Sequence, residues 1–383
     1  MAVNIACAFC GGGLESLWLV NDFPEAPRAA VDVRKERIDF NIGCCRDCHL
    51  VQQISSPRLN VLYEDFKNDV IGQKLDLQKT AFVKFLSSYV PPDGVLLEYG
   101  AGNCLVASNL AKSSSASRII ANDYNLEPIA AIDARVELIE GDFNDLKFGE
   151  KSIDVIYSSH VFEHLGEFFK HLTNAANFIK VGGKYIIALP YFERWLADFN
   201  LNVFTQEHPV YPFKDDLIFL FSKFGFEAVS FVEQEDHSLF CTFKNVGRDA
   251  NIPRKSTKSK RTKVQNFVRY IESLKEQLKF LSCSDGRIVV FGANSSGQLL
   301  INFLEKGNVN ATDVVDNSEL KQGKILFGTD LQIQSPIIIK ELNVNDIVLI
   351  FVGVYDDEIK KQVRNLNSEV RIYTKENFLN KLS

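Results

Sequence analysis

The run GVLLEYGAGNC at residues 94–104 constrains the fold of this chain more than any other stretch. An apolar strand ends there in an acidic residue and a glycine-rich turn, and the helix-compatible LVASNLAKS follows directly. Such a strand, turn and helix brings backbone amides close to a nucleotide, because glycine places no Cβ in the way. IIANDY then sets Asp123 at the end of a second strand, where a carboxylate can accept both hydroxyls of a ribose. ELIEGDF puts Asp142 and Phe143 after a third strand, although such an aspartate can equally cap a turn. SIDVIYSSHVFEHL reads as a fourth strand presenting His160, Glu163 and His164, and VGGKYIIALPY as the turn and strand that follow a helix. The alternation predicts an α/β fold with a doubly wound, mostly parallel sheet of seven strands and helices on both faces.

At 383 residues the chain exceeds what one hydrophobic core usually supports. Four stretches are expected: a cysteine-bearing segment over 1–60, the strand and helix domain over 61–245, a basic linker over 246–263, and a smaller Rossmann-like domain over 264–383. The linker, GRDANIPRKSTKSKRTK from Gly247 to Lys263, lacks large apolar residues and reads as a solvated tether. VQNFVRYIESLKEQLKFL after it carries apolar residues at helical spacing. The net charge of -6 argues against a nucleic-acid partner. MAVNIACAFCGGG has neither a basic nor an apolar leader region, and no later stretch is apolar enough to span a bilayer, so a cytoplasmic protein without a membrane partner is expected.

Two C-x-x-C knuckles, Cys7 with Cys10 and Cys45 with Cys48, supply four thiolates with the spacing of a tetrahedral Zn²⁺ site. Cys44 and His49 flank the second knuckle, but Cys45 preserves the two-residue gap of the first. Four sulfur ligands leave no open position for water, so one structural zinc per chain is expected.

Near the C-terminus, RIVVFGANSSGQLLINFL and the later VVDNS repeat the strand, glycine turn, helix and acid in abbreviated form. Gly292, Ala293, Ser296 and Gly297 can offer amides to a phosphate and Asp316 can meet a ribose, yet a layer used only for packing has the same pattern. Neither glycine turn has the full G-x-G-x-x-G spacing of a dinucleotide site.

Glu98, Gly100, Ala101 and Gly102 resemble the first motif of class I methyltransferases, with Cys104 standing where a third glycine is usual. The later D-F, E-H-L and G-G-K segments agree with that class in order. The knuckles followed by HLVQQ, the central domain, FTQEHPVYPF and the C-terminal block together resemble the zinc-containing sugar C-methyltransferases, which act on nucleotide-linked 4-keto-deoxysugars. The resemblance implies S-adenosyl-L-methionine as methyl donor, held by Glu98, Gly100, Ala101, Gly102, Asp123, Asp142 and Phe143, and a nucleotide-activated sugar as acceptor. It also implies an active-site Glu-His pair after the sixth strand, matched by Glu207 and His208. His208 would be the base that forms an enolate and Glu207 its orienting partner, with Tyr63 and His164 nearby. The chain departs from the family on the acceptor side. Thr205 and Gln206 replace a Tyr-His, Phe66 lies in VLYEDFKNDVIG where only Tyr63 remains of the tyrosines, and DHSLF keeps only Ser238 and Leu239 of a longer element. Methylation of oxygen or nitrogen on another small molecule, or a non-catalytic binding module, are the competing expectations.

Overall fold

A computed structural model of the chain describes residues 6–55, 57–58, 61–62, 73–128, 132–235, 237–247 and 258–379. Tyr63, expected at the acceptor, lies outside the described residues.

The N-terminal segment forms β1 (Leu14–Pro24), β2 (Ala29–Ala30), β3 (Arg37–Cys45) and β4 (Val51–Gln53). Seven strands make the central sheet: β5 (Val95–Tyr99), β6 (Arg118–Asp123), β7 (Val136–Glu140), β8 (Ile153–Ser159), β9 (Ile179–Pro190), β11 (Phe226–Gln234) and β12 (Ser238–Asn245). Their order is β11-β12-β9-β8-β5-β6-β7. Pairings from β9 to β7 are parallel, and β12 runs antiparallel to both neighbours. Leu96, Leu97, Ile119 and Ile120 are fully buried, as a sheet covered on both faces requires. The C-terminal domain has a five-stranded parallel sheet of β13 (Ile288–Phe291), β14 (Asp313–Val315), β16 (Ile333–Gln334), β17 (Ile347–Ile350) and β18 (Arg371–Thr374), ordered β16-β14-β13-β17-β18.

Two short pairings stitch these parts together. β10 (Val210–Tyr211) leaves the central domain to extend the N-terminal sheet, pairing Val210 with Gln52 and Tyr211 with Val51. β15 (Ile325–Leu326) of the C-terminal domain pairs with β2. One apolar cluster runs through all three parts, from Phe9 and Trp18 through Leu97 and Tyr211 to Val290 and Leu349.

The basic linker ends sooner than expected. A helix begins at Lys258 and runs to Leu278, burying Val264, Phe267, Ile271, Leu274 and Leu278 on one face. Lys260 is buried with its ammonium 2.7 Å from Asp215 and 2.8 Å from Asp216, Arg261 pairs with Glu15, and Lys263 pairs with Glu193. These acids are distant in sequence, so the run looks solvated until the fold supplies its counter-charges.

Candidate functional site

The site lies at the C-terminal ends of β5, β6 and β8, where open parallel sheets bind ligands. Its first half is the turn after β5. Gly100 (φ +69°) has no room for a side chain, since a Cβ would meet Val161 at 2.2 Å. Gly102 (φ +50°) would carry its Cβ into open space, which leaves a cradle for a ligand. Ala101 donates its amide to the Asn122 carbonyl at 3.0 Å and is buried. Cys104 occupies the left-handed conformation expected of a third glycine (φ 58°), with its side chain fully buried. A non-glycine residue there costs about 1–2 kcal/mol of backbone strain.

Asp123 stands half-buried beside this cradle. Its Oδ2 accepts the Gly102 amide at 2.8 Å and its Oδ1 the Asn125 amide at 3.0 Å, so one carboxylate fixes the turn and keeps lone pairs for a ligand. Asp142 caps the turn Phe143–Asp145 through the Asn144 amide at 2.7 Å, the local role weighed from its sequence. The Phe143 ring is buried against Tyr99, His171 and Phe178, and the exposed aromatic face in this region belongs instead to Tyr124, which follows Asp123. No local motif marks Tyr124 as special.

Glu98 sits behind the turn, buried, with its Oε2 3.3 Å from the Tyr157 hydroxyl. Burial pushes its pKa from 4.5 up to about 8, against the lowering effects of Tyr157 and the Ala107 amide. As pH rises past 4.5 the unfolded chain therefore releases this proton while the folded chain keeps it, and the fold loses stability until about pH 8. Glu98→Gln is expected to remove that loss. In thermal melts it should exceed wild type at pH 8 by on the order of 3–4 kcal/mol, with the difference gone by about pH 4.

The second half of the site is a histidine cluster after β8. His160 has a left-handed backbone (φ 55°) and donates its amide to the Ala188 carbonyl at 2.8 Å. Its Nε2 is 3.0 Å from Ser238 Oγ, which is also 2.6 Å from Nδ1 of His237. Its Nδ1 is 3.4 Å from Glu163. His164 packs edge to face on His208, with ring centroids 4.6 Å apart. Burial, with His164 and His160 close by, holds the His208 pKa well below the usual range, so the ring is neutral. The Glu-His pair follows β9, the fifth strand of the central sheet, rather than the sixth, and leads into β10. Glu207 is half-buried, and the carboxylate whose oxygen lies within 4.8 Å of ring nitrogens of both His164 and His208 is that of Glu163. From the C-terminal domain, the Tyr355 hydroxyl lies 3.4 Å from Nε2 of His237. Gln78, Gln234, Glu235 and His237 line a crevice too narrow to admit a water molecule. Neither polar atom of the buried Gln78 amide has a hydrogen-bond partner among the described residues. His237, Gln78 and Tyr355 come from separate elements and have no sequence signature.

The four knuckle sulfurs of Cys7, Cys10, Cys45 and Cys48 lie within 4.8 Å of one another. Cys7 and Cys48 are 3.3 Å apart, and Cys10 and Cys45 3.5 Å. Amides of Asp47 and Cys48 point at the Cys45 sulfur, both at 3.4 Å, as donors that stabilise a thiolate. A zinc tetrahedron has sulfur edges of about 3.8 Å, so these residues fit one ion. Cys44 turns its thiol toward the Cys45 carbonyl at 3.7 Å.

The C-terminal glycine turn, by contrast, is filled by the protein itself. Gly292 donates to Val315, Ala293 to Asp316 Oδ2, Ser296 to Asn202 Oδ1 and Gly297 to Asn294 Oδ1. Ser295 Oγ bonds Thr205 Oγ1 at 2.8 Å, and residues 295–304 are all buried. The amides of Gly292, Ala293, Ser296 and Gly297 are thus engaged within the chain, that of Ser296 by the segment leading to His208, which favours the packing role over a phosphate site.

This topology and cradle give the central domain the class I methyltransferase fold. In agreement, residues 97–187 match the family described as "Methyltransferase domain". Residues 284–373 match the family described as "C2185-like, N-terminal". No curated protein matches the sequence significantly. Similar solved structures include an S-adenosylmethionine dependent methyltransferase from Mesorhizobium loti, 11% identical over 43% of this chain and 96% of that one, TM-score 0.36. Another is the geranyl diphosphate C-methyltransferase of Streptomyces coelicolor, 12% identical over 45% and 81%, TM-score 0.36. A third is the PH0226 protein of Pyrococcus horikoshii, 16% identical over 48% and 97%, TM-score 0.39. Likenesses this distant bear on neither substrate nor reaction.

Proposed function

We propose that the protein transfers a methyl group from S-adenosylmethionine to the carbon beside the ketone of a nucleotide-linked keto-deoxysugar, and that the four cysteines hold one structural zinc. The observation that carries the reading is the open cradle at Gly102 beside Asp123, set at the end of the same sheet as the histidine cluster. When bound, the donor supplies a methyl group made electrophilic by sulfonium. Asp123 receives ribose hydroxyls, the Gly102 turn receives the donor's backbone-contacting part, and Tyr124 offers its ring to adenine.

On the acceptor side the base is an imidazole. His208 is buried, whereas His160 is half-buried, touches Ser238 and has Glu163 beside its Nδ1. His160 accordingly takes the proton from the carbon next to the ketone, and Glu163 stabilises the imidazolium. The enolate carbon then bonds the methyl as its bond to sulfur breaks, releasing S-adenosylhomocysteine.

Incubation of the protein with keto-sugar nucleotides in D₂O, without donor, tests the reading. Exchange of the hydrogen beside the ketone is expected. Methyl transfer without such exchange would indicate methylation of oxygen or nitrogen.

A further inference from the structure

We propose that Glu163, His164 and His208 form a second metal site, for a divalent transition-metal cation, within the histidine cluster and separate from the four cysteines. One ligand atom from each side chain lies within 4.8 Å of the others. Glu163 is 0% exposed, yet neither of its oxygens accepts a hydrogen bond from any of the described residues. Its neighbour His160 lies at ion-pair distance, 3.4 Å, without hydrogen-bond geometry. Nδ1 of the buried His208 is also without a hydrogen-bond partner among the described residues.

An uncompensated buried carboxylate is costly, and two adjacent imidazoles are an unusual environment in which to leave one. A cation bound by all three satisfies the carboxylate and the imidazoles together. Two imidazoles with one carboxylate suit Zn²⁺, Fe²⁺ or Co²⁺ better than Mg²⁺ or Ca²⁺, which take oxygen ligands. Three protein ligands also leave coordination positions open. Glu163 and His164 come from the turn after β8 and His208 from the segment before β10, so the site joins two independently anchored elements. The remaining carboxylate lone pairs still face His160, which keeps its place as proton acceptor. Binding of the cation stands apart from the proposed reaction. Its consequence, polarising the acceptor ketone, rests on that reaction.

The test uses the full chain, prepared with zinc and separately with Co²⁺. Metal analysis is expected to give about two ions per chain in wild type and about one in both Glu163→Gln and His164→Ala. The Co²⁺ forms should all retain the thiolate-to-metal absorption of the cysteine site, while the variants lose the remaining weaker visible bands. The half-buried His164 provides a variant less damaging to folding, and circular dichroism checks both. One ion in wild type overturns the proposal, as does a second ion that survives both substitutions. S-adenosylhomocysteine binding, measured on the same samples, separates failure of this site from failure of the methyltransferase reading.

Discussion

Cys45→Ser is expected to strip the metal from the N-terminal segment and to slow methyl transfer by about 10²-fold, while changing donor affinity little. A serine hydroxyl is a poor zinc ligand, and structural zinc contributes roughly 10–16 kcal/mol of apparent binding energy at neutral pH. The reason for a catalytic effect is the path from the knuckles to His208. The Ala8 amide, between Cys7 and Cys10, donates to Gln52 Oε1 at 2.9 Å. Gln52 pairs with Val210, and the Gln53 amide donates to the Pro209 carbonyl at 3.0 Å. The residue next to Pro209 is His208. His208 packs on His164 beside Glu163, the partner of the base His160. Loss of the ion therefore loosens the surroundings of the base, and misplacement of a reacting group by about 1 Å can cost 10²-fold. The Gly102 cradle belongs to the central sheet and has no such tie. Metal analysis, donor titration and a transfer assay on one sample check the three parts, and a metal-free variant with full transfer activity would break the link.

His160→Ala is expected to lower transfer by about 10²- to 10⁴-fold and to abolish solvent exchange, again with donor binding retained. Because His160 has a left-handed backbone, alanine also adds strain there. Asparagine tolerates that conformation, so His160→Asn separates loss of the base from loss of the turn. The two variants should be equally inactive, with asparagine the more stable in thermal melts. An active His160→Asn would move the base elsewhere in the cluster, His208 being the next imidazole to test.

Much of this was readable from local pattern. The strand ending at Glu98 and the turn through Gly102 require only a strand period, an acid and positive-φ glycines, and the paired cysteines carry their own spacing. What local pattern does not carry has one cause, contacts made far along the chain. Gly292, Ala293, Ser296 and Gly297 have the same local pattern as a phosphate turn, but Asn202 and Thr205, some 90 residues earlier, fill it, and no window around the turn contains that information. Lys260 reads as solvated until Asp215 and Asp216 are placed around it. The motif places Phe143 at a ligand-facing position, yet its ring faces Tyr99 and His171 in the core. His237, Gln78 and Tyr355 meet only through tertiary packing, from the start of β12, a helix before β5 and the C-terminal domain. The Glu-His pair was visible as a motif, while the grouping of Glu163 with His164 and His208 required the fold.

Binding of the methyl donor by the turn after β5 is tested most directly by calorimetric titration with S-adenosylhomocysteine. Wild type should bind, and Asp123→Ala should bind roughly 10- to 100-fold more weakly, since the substitution removes a carboxylate that meets the ligand and also fixes the Gly102 amide at 2.8 Å. Absence of binding in a folded, metal-loaded wild-type sample would contradict the claim and leave the chain a binding module built on a methyltransferase fold.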